Sequence, residues 1–254
     1  MNILFHGICG RIGKETVRIT EEGFRDAHIV CGVDIYATEG TGTIPCYTTF
    51  DRIDRAFDID CIIDFSHHTA IAPLLKYAVA NRLPVIVATT GHTEEELRLI
   101  DEAAEKIPVF RSGNMSLGIS LLIELAKTTA ANMPDANIEI VETHHNRKLD
   151  APSGTALMIA DAIRSVRRAA TYVMGRSGQG KRTDEEIGIH AIRMGNVVGT
   201  HEVIVGTDSQ TITLKHEAHS RALFAEGALA AASYLCGKPA GMYNMQSMIA
   251  ERKA

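Results

Sequence analysis

Hydrophobic positions along this chain fall into two regimes. Up to about residue 114, short apolar runs alternate with amphipathic stretches of helical period. Asn2–His6, His28–Val33, Asp60–Phe65, Leu83–Ala88 and Ile107–Phe110 read as buried strands. Lys14–Thr20 and Ala70–Ala80 read as helices, and another helix starts at Thr93, where Thr93 and Glu96 have the spacing of a capping box. The Thr- and Gly-rich stretch Tyr36–Thr48, with Pro45, reads as a surface loop. Strands alternating with helices imply a parallel sheet, whose ligands gather at the C-terminal strand ends. A long apolar helix, Leu117–Met133, then introduces a different pattern. A strand at Asn137–Val141 and a helix at Ala156–Val166 precede a polar loop over 175–183. Three β-rich runs follow, Ile187–Met194, Thr200–Gly206 and Gln210–Glu217, joined by Gly195-Asn196 and Thr207-Asp208-Ser209. Runs joined by such short turns predict an antiparallel or mixed sheet, and an open face of such a sheet commonly becomes an oligomer interface. His219-Ser220-Arg221 then caps an Ala-rich helix reaching Tyr234.

The first strand runs straight into Gly7-Ile8-Cys9-Gly10-Arg11-Ile12-Gly13, and the second ends on Asp34. Strand, glycine loop, helix, strand and acid form the order of a dinucleotide site. Glycines let the backbone approach a pyrophosphate, the helix N-terminus favours its charge, and the acid accepts hydrogen bonds from the adenosine ribose. The loop departs from G-x-G-x-x-G, because Cys9 stands where a second glycine is expected. Ile35 and Tyr36 follow Asp34, so no neighbouring cation meets a 2′-phosphate and NADH is favoured over NADPH, although Arg11 could reach a phosphate. The fold class is therefore α/β: a Rossmann-type parallel-sheet domain over 1–114, completed by the C-terminal helical segment 219–254. A smaller α+β domain with a mixed sheet occupies 115–218.

The densest chemistry lies in Glu142-Thr-His144-His145-Asn-Arg147-Lys148-Leu-Asp150-Ala-Pro152-Ser153-Gly154-Thr155, between a strand and a helix. Ser153, Gly154 and Thr155 would set hydroxyls and free N–H groups at a helix N-terminus, where a carboxylate or phosphate is stabilised. Histidine exchanges protons near neutral pH, and Lys148 could hold the charge of a bound acid. The stretch reads as a site for an anionic small molecule that needs a proton. His67 and His68 read as structural groups bordering the cofactor groove. No cluster has the ligand spacing of a metal site, and His144 and His145, being adjacent, point apart on a strand.

Composition narrows the field. The chain has 254 residues, 45% hydrophobic and 22% charged, with a formal net charge of −5. That balance is ordinary for a globular protein and gives no basic footprint for nucleic acid or an anionic membrane. Five scattered cysteines, none in C-x-x-C spacing, suit a reducing compartment. No basic, apolar leader precedes the first strand, and no apolar run is long enough to span a bilayer. These features predict a cytoplasmic protein.

Taken together, the motifs resemble the dihydrodipicolinate reductase family of lysine and diaminopimelate synthesis. The central match is Glu142-x-His144-His145-x-x-Lys148-x-Asp150-Ala-Pro-Ser-Gly-Thr155. Supporting matches are Gly7-x-x-Gly10-Arg11-Ile12-Gly13, Asp64-Phe65-Ser66, Thr89-Thr90-Gly91, Asn114-Met115-Ser116-x-Gly118, Arg193-x-Gly195-x-x-Val198-Gly199-x-His201 and Ser220-Arg221-x-x-Phe224-x-x-Gly227. The resemblance implies NAD(P)H-dependent reduction of 4-hydroxy-tetrahydrodipicolinate, a cyclic dicarboxylate, to tetrahydrodipicolinate. It implies cofactor binding by Gly7, Ile8, Cys9, Gly10, Arg11, Ile12, Asp34, Ala88, Thr89, Thr90, Ser112, Gly113, Asn114 and Met115. His144 would be proton donor or acceptor and Lys148 proton donor. His145 would touch substrate, and Ser153, Gly154 and Thr155 would hold a carboxylate. The mixed sheet would join four subunits into a homotetramer. Ala88 replaces a usual glycine, and Ile35 a basic residue seen in some members. Two alternatives compete: another NAD(P)-dependent reductase of a small carboxylic acid, and a non-enzymatic NADH-binding sensor. An aspartate-semialdehyde dehydrogenase would need a cysteine in its second domain, and none lies between Cys61 and Cys236. A sensor would need a basic DNA-binding module, and none is evident.

Overall fold

The computed structural model describes residues 1–38, 43–53 and 56–251, and the chain divides into two compact units. The first comprises Met1–Ser116 with Arg221–Ala254, and the second Leu117–Ser220. The first unit begins with β1 (Asn2–His6), α1 (Arg11–Glu21), β2 (His28–Val33), β3 (Cys46–Tyr47) and β4 (Cys61–Asp64). It continues through α2 (Ile71–Asn81), β5 (Val85–Val87), α3 (Glu94–Ala104) and β6 (Pro108–Arg111). These strands form one sheet in the order β6-β5-β4-β1-β2-β3, and every pairing is parallel. The order reverses between β1 and β4, which is where a doubly wound sheet opens a ligand crevice. The near-continuous apolar runs of the strands reflect burial on both faces. Leu4, Ile62, Val85, Val87 and Val109 lie in one core with Leu74 and Ile100 of the helices. Thr93 and Glu96 form the expected capping box, with both reciprocal bonds present.

The second unit contains α4 (Leu117–Asn132), β7 (Asn137–His144), α5 (Gly154–Val166), β8 (Thr171–Met174), β9 (Glu186–Arg193), β10 (Gly199–Gly206) and β11 (Thr211–Ala218). Its sheet is mixed, in the order β11-β10-β7-β9-β8. β7, β9 and β8 run parallel, whereas β10 is antiparallel to both β7 and β11. Strict alternation along β7 and β10 puts Ile138, Ile140, Val203 and Val205 on one face. There they pack with Ile119, Ile123, Ile159 and Ile163 of the two helices.

The last segment returns to the first unit as α6 (Ala222–Leu235), β12 (Gly241–Tyr243) and α7 (Met245–Glu251). β12 pairs in parallel with β6 and becomes an edge of the parallel sheet. Small side chains let α6 come close to the sheet-side backbone: a Cβ at Gly227 would lie 1.7 Å from Met115 O.

Three sequence expectations need correction. The turn Gly195-Asn196 does not join neighbouring strands, because β7 lies between β9 and β10; of these three runs, β10 and β11 form a hairpin. The loop over 36–48 contains the edge strand β3, while its residues 39–42 lie outside the described residues. Within His219-Ser220-Arg221 the N-cap position of α6 falls on Arg221, whose own side chain makes no capping hydrogen bond.

Candidate active site

His144 is the last residue of β7, and the two-residue period of the strand puts it on the same face as Glu142. Both are buried, Glu142 completely. His144 Nδ1 donates to Glu142 Oε2 at 2.6 Å, and Arg193 Nη1 donates to the same oxygen at 2.8 Å. Arg193 Nη2 and the Ser153 backbone N–H donate to Oε1 at 2.7 and 2.9 Å. Burial alone would raise the Glu142 pKa. The bonds from His144, Arg193 and Ser153 outweigh it and hold the carboxyl at about 2. Arg193 comes from β9 and also donates to Asp150 O at 2.6 Å, so the loop after β7 shares this anchor. Within that loop the Lys148 ammonium pairs with Asp150 at 2.9 Å.

Ser153 caps α5: its hydroxyl accepts from Ala156 N at 3.2 Å and lies 3.1 Å from His201 Nε2. Burial, with His144 nearby, pushes the His201 pKa down to about 3, so its ring is neutral at neutral pH. Ser153 Oγ and the neutral His201 ring thus share one hydrogen bond through Nε2. Ser153 is 1% exposed, whereas Gly154 is exposed and Thr155 half-buried. The outward part of this turn is therefore Gly154 and Thr155. The rings of His144 and His201 meet edge to face with centroids 5.2 Å apart. His145 is half-buried beside this cluster in sequence.

In the first unit the glycine loop turns at Gly7, with φ +87°; a Cβ there would lie 2.6 Å from Phe65 O. Asp34, at the end of β2, accepts from Cys9 N through Oδ2 and from Tyr36 N through Oδ1, both at 2.9 Å. A cleft of about 530 Å³ is lined by Gly7, Cys9, Gly10 and Asp34 together with His6, Phe65, Ser66 and Thr69. A second, of about 250 Å³, is lined by Ala88, Thr89 and Thr90 and shares Phe65, Ser66 and His67 with the first. Ile8 is buried, Arg11 and Ile12 open α1, and no side chain caps that helix at Gly10. Its first N–H groups are thus free for an anion. This cradle fits a dinucleotide: glycines at close approach, an uncapped helix N-terminus, and a carboxylate at the strand end.

Ser112, Gly113, Asn114 and Met115 follow β6. Ser112 Oγ donates to Asn114 O, Asn114 Oδ1 accepts from Ser116 N, and Met115 is buried. His67 caps the turn into α2, and His68 pairs with Glu96 at 2.8 Å, so both have structural work besides bordering the clefts. A cavity of about 360 Å³ shares His6, Ile35 and Ala70 with the larger cleft and is lined by Lys76. This cation from α2 was not foreseen from the neighbours of Asp34. Glu142, Arg193 and His201 also went without roles in the sequence reading, although each stands in a quoted motif. The signal for Glu142 was its i, i+2 spacing to His144. Among the described residues, no group of three or more His, Cys, Asp or Glu could hold a metal ion, and no helix is long and apolar enough to cross a membrane.

A doubly wound sheet with a dinucleotide cradle, carrying a separate imidazole–lysine unit, defines a two-unit NAD(P)H-dependent oxidoreductase. Residues 1–115 match the family model described as dihydrodipicolinate reductase, N-terminus, and residues 118–249 match that for the C-terminus. Curated relatives named 4-hydroxy-tetrahydrodipicolinate reductase include one from Caldanaerobacter subterraneus subsp. tengcongensis, 44% identical over 98% of both chains. Another, from Clostridium tetani, is 42% identical over 98% of this chain and 97% of its own. The chain belongs to the dihydrodipicolinate reductase family, whose oxidoreductases serve lysine and diaminopimelate biosynthesis. A solved dihydrodipicolinate reductase from Paenisporosarcina sp. TG-14, bound to dipicolinate, shares the fold. Its TM-score is 0.80 at 22% identity, covering 96% of this chain and 97% of that one. A myo-inositol dehydrogenase from Corynebacterium glutamicum shares it more loosely, with TM-score 0.62 at 15% identity, over 100% of this chain and 93% of that one.

Proposed function

We propose that this chain reduces 4-hydroxy-tetrahydrodipicolinate to tetrahydrodipicolinate, with NADH favoured over NADPH. The observation that carries the reading is the Glu142-anchored cluster: an imidazole, an ammonium and an accessible helix N-terminus are held within one unit. A bound reduced nicotinamide supplies hydride from its C4. The protein's own groups hold the two carboxylates, exclude water and handle protons. Gly154 and Thr155 are assigned to one carboxylate at the positive end of the α5 dipole, with buried Ser153 shaping the turn from inside. His145 is assigned to a second substrate contact. His144 and Lys148 are the proton-transfer pair: once water has left the ring and hydride has added across the resulting C=C bond, one of them protonates the neighbouring carbon. The Lys148 ammonium also offsets negative charge that develops on the ring.

In the first unit, Asp34 is assigned to the ribose hydroxyls, and the loop Gly7–Ile12 with the N-terminus of α1 to the pyrophosphate. Ala88, Thr89, Thr90 and Ser112–Met115 are assigned to the remainder of the cofactor. The preference for NADH rests on Asp34, since a carboxylate accepts from a 2′-hydroxyl and repels a 2′-phosphate. We further propose a homotetramer built on the open face of the mixed sheet, where Val141 and Ile204 alternate with buried neighbours and Ile192 is 43% exposed. The five free thiols are compatible with a place in the cytoplasm. The test is oxidation of NADH and of NADPH in the presence of the preceding synthase, which generates the unstable substrate in situ. Turnover faster with NADH is expected; absence of turnover with either cofactor overturns the assignment. Light scattering of the purified protein reads the oligomer.

A further inference from the structure

We infer that Glu142 is a positioning residue: its buried carboxylate fixes His144 with hydrogen on Nδ1 and ties that ring to the start of α5, so Nε2 is the nitrogen that exchanges a proton with a ligand seated there. The inference rests on the proton-transfer role proposed above for His144. A carboxylate offers about four acceptor positions, and all four of Glu142 are used: His144 Nδ1 and Arg193 Nη1 on Oε2, Arg193 Nη2 and Ser153 N on Oε1. Saturated in this way it stays ionised and has no lone pair to spare for substrate, so it is neither general base nor ligand. An ionised carboxylate only accepts hydrogen bonds, hence Nδ1 must carry the hydrogen. The other edge of the ring meets a residue without a side chain, since a Cβ at Gly199 would lie 3.0 Å from His144 Nε2.

A buried ion pair between Glu142 and Arg193 could serve the fold alone, but such pairs are weak contributors to net stability. What sets this one apart is its third and fourth partners, the proton-transfer imidazole and the backbone N–H of the residue that caps the anion-binding helix. Arg193 extends the anchor to Asp150 O, and so to the loop that carries the Lys148–Asp150 pair. His201, neutral and edge-on to His144, adds no competing charge. Proton transfer and carboxylate binding therefore share one rigid reference point.

The substitution Glu142→Gln tests this. Both donors on Oε1 are fixed, a guanidinium and a backbone N–H, whereas on Oε2 the imidazole can give up its hydrogen. The amide oxygen of Gln therefore settles at Oε1 and its NH₂ faces Nδ1, which moves the hydrogen to Nε2. Loss of the correct tautomer in a related His–carboxylate pair costs roughly 10⁴-fold in kcat; here a fall of about 100-fold or more is expected, with NADH affinity unchanged. Histidine-selective ¹⁵N NMR reads the tautomer without any turnover: hydrogen on Nδ1 in the wild type and on Nε2 in the Gln variant. Arg193→Lys keeps the carboxylate, so its spectrum retains hydrogen on Nδ1. A Gln variant that binds NADH normally, keeps the wild-type tautomer and turns over within threefold of wild type overturns the inference. If that variant does not fold, the wild-type spectrum decides, because a bare Nδ1 there also overturns it. A wild-type chain inactive on the proposed substrate would instead remove the proposed function and leave the tautomer measurement standing.

Discussion

The two units prepare their sites by opposite means. In the first, the groups proposed to hold the cofactor are backbone: a glycine turn, an uncapped helix N-terminus and strand ends, with Asp34 the main charged side chain, itself bonded to Cys9 N and Tyr36 N. In the second, a side chain organises everything, since Glu142 collects an imidazole, a guanidinium and a helix cap inside the core. A site made of peptide groups tolerates changes of residue type that keep the backbone path, which is why Cys9 and Ala88 can stand where glycines are expected. A site made around one buried charge tolerates none of its partners being lost, because the remainder is left unpaired in a poorly solvated place.

The sharpest way to separate the two is by kinetics. His144→Ala and Lys148→Ala should each lower kcat by roughly 10²- to 10⁴-fold, while NADH binding, followed by its fluorescence, stays at the wild-type value. Variants within twofold of wild type in kcat would remove these role assignments. Next in size is stability. Arg193→Met leaves the fully buried Glu142 carboxylate without its bidentate partner, and a loss of about 3–5 kcal/mol is expected in denaturant unfolding. Asp34→Ala should raise the KM for NADH by about tenfold, the scale of one charged hydrogen bond, while that for NADPH, whose 2′-phosphate the carboxylate repels, should not rise. Equal losses would sever the link between this carboxylate and the ribose 2′ position.

The smallest effect is that of acid. His201 is held at about 3 against an ordinary 6.5, so its contribution is complete above pH 6.5 and is lost as pH falls from there toward 3. Glu142, at about 2 against 4.5, contributes fully above pH 4.5 and loses that contribution between 4.5 and 2. Between pH 6.5 and 4.5 the His201 contribution therefore declines first. The melting temperature should drop over this interval, by roughly 2–4 °C per kcal/mol lost, and His201→Phe should flatten that part of the curve. An unchanged slope in the variant would place the acid sensitivity elsewhere.

Much of this comparison was legible in the order of residues. The glycine loop, Asp34 and the strand–helix alternation are local patterns, and a doubly wound sheet follows from them almost without choice. Period two along Asn137–His144 places Glu142 beneath His144. What escaped was non-local or too short. The two- to four-residue strands Cys46–Tyr47, Thr171–Met174 and Gly241–Tyr243 have no measurable period. The insertion of β7 between β9 and β10 is a pairing choice that no turn announces. Arg193 reaches Glu142 from 51 positions away, a distance over which spacing carries no information.

The path of the chain also bears on how the protein is made. The second unit is one uninterrupted stretch, whereas the first waits for α6 and for β12, which covers the outer edge of β6. During synthesis the inserted unit is complete on the ribosome while its host still shows an open β edge, the kind of surface from which chains stick to one another. A ribosome that stalls before Gly241 would release a protein with its Glu142-anchored cluster whole and its sheet unsealed, a ready client for chaperones.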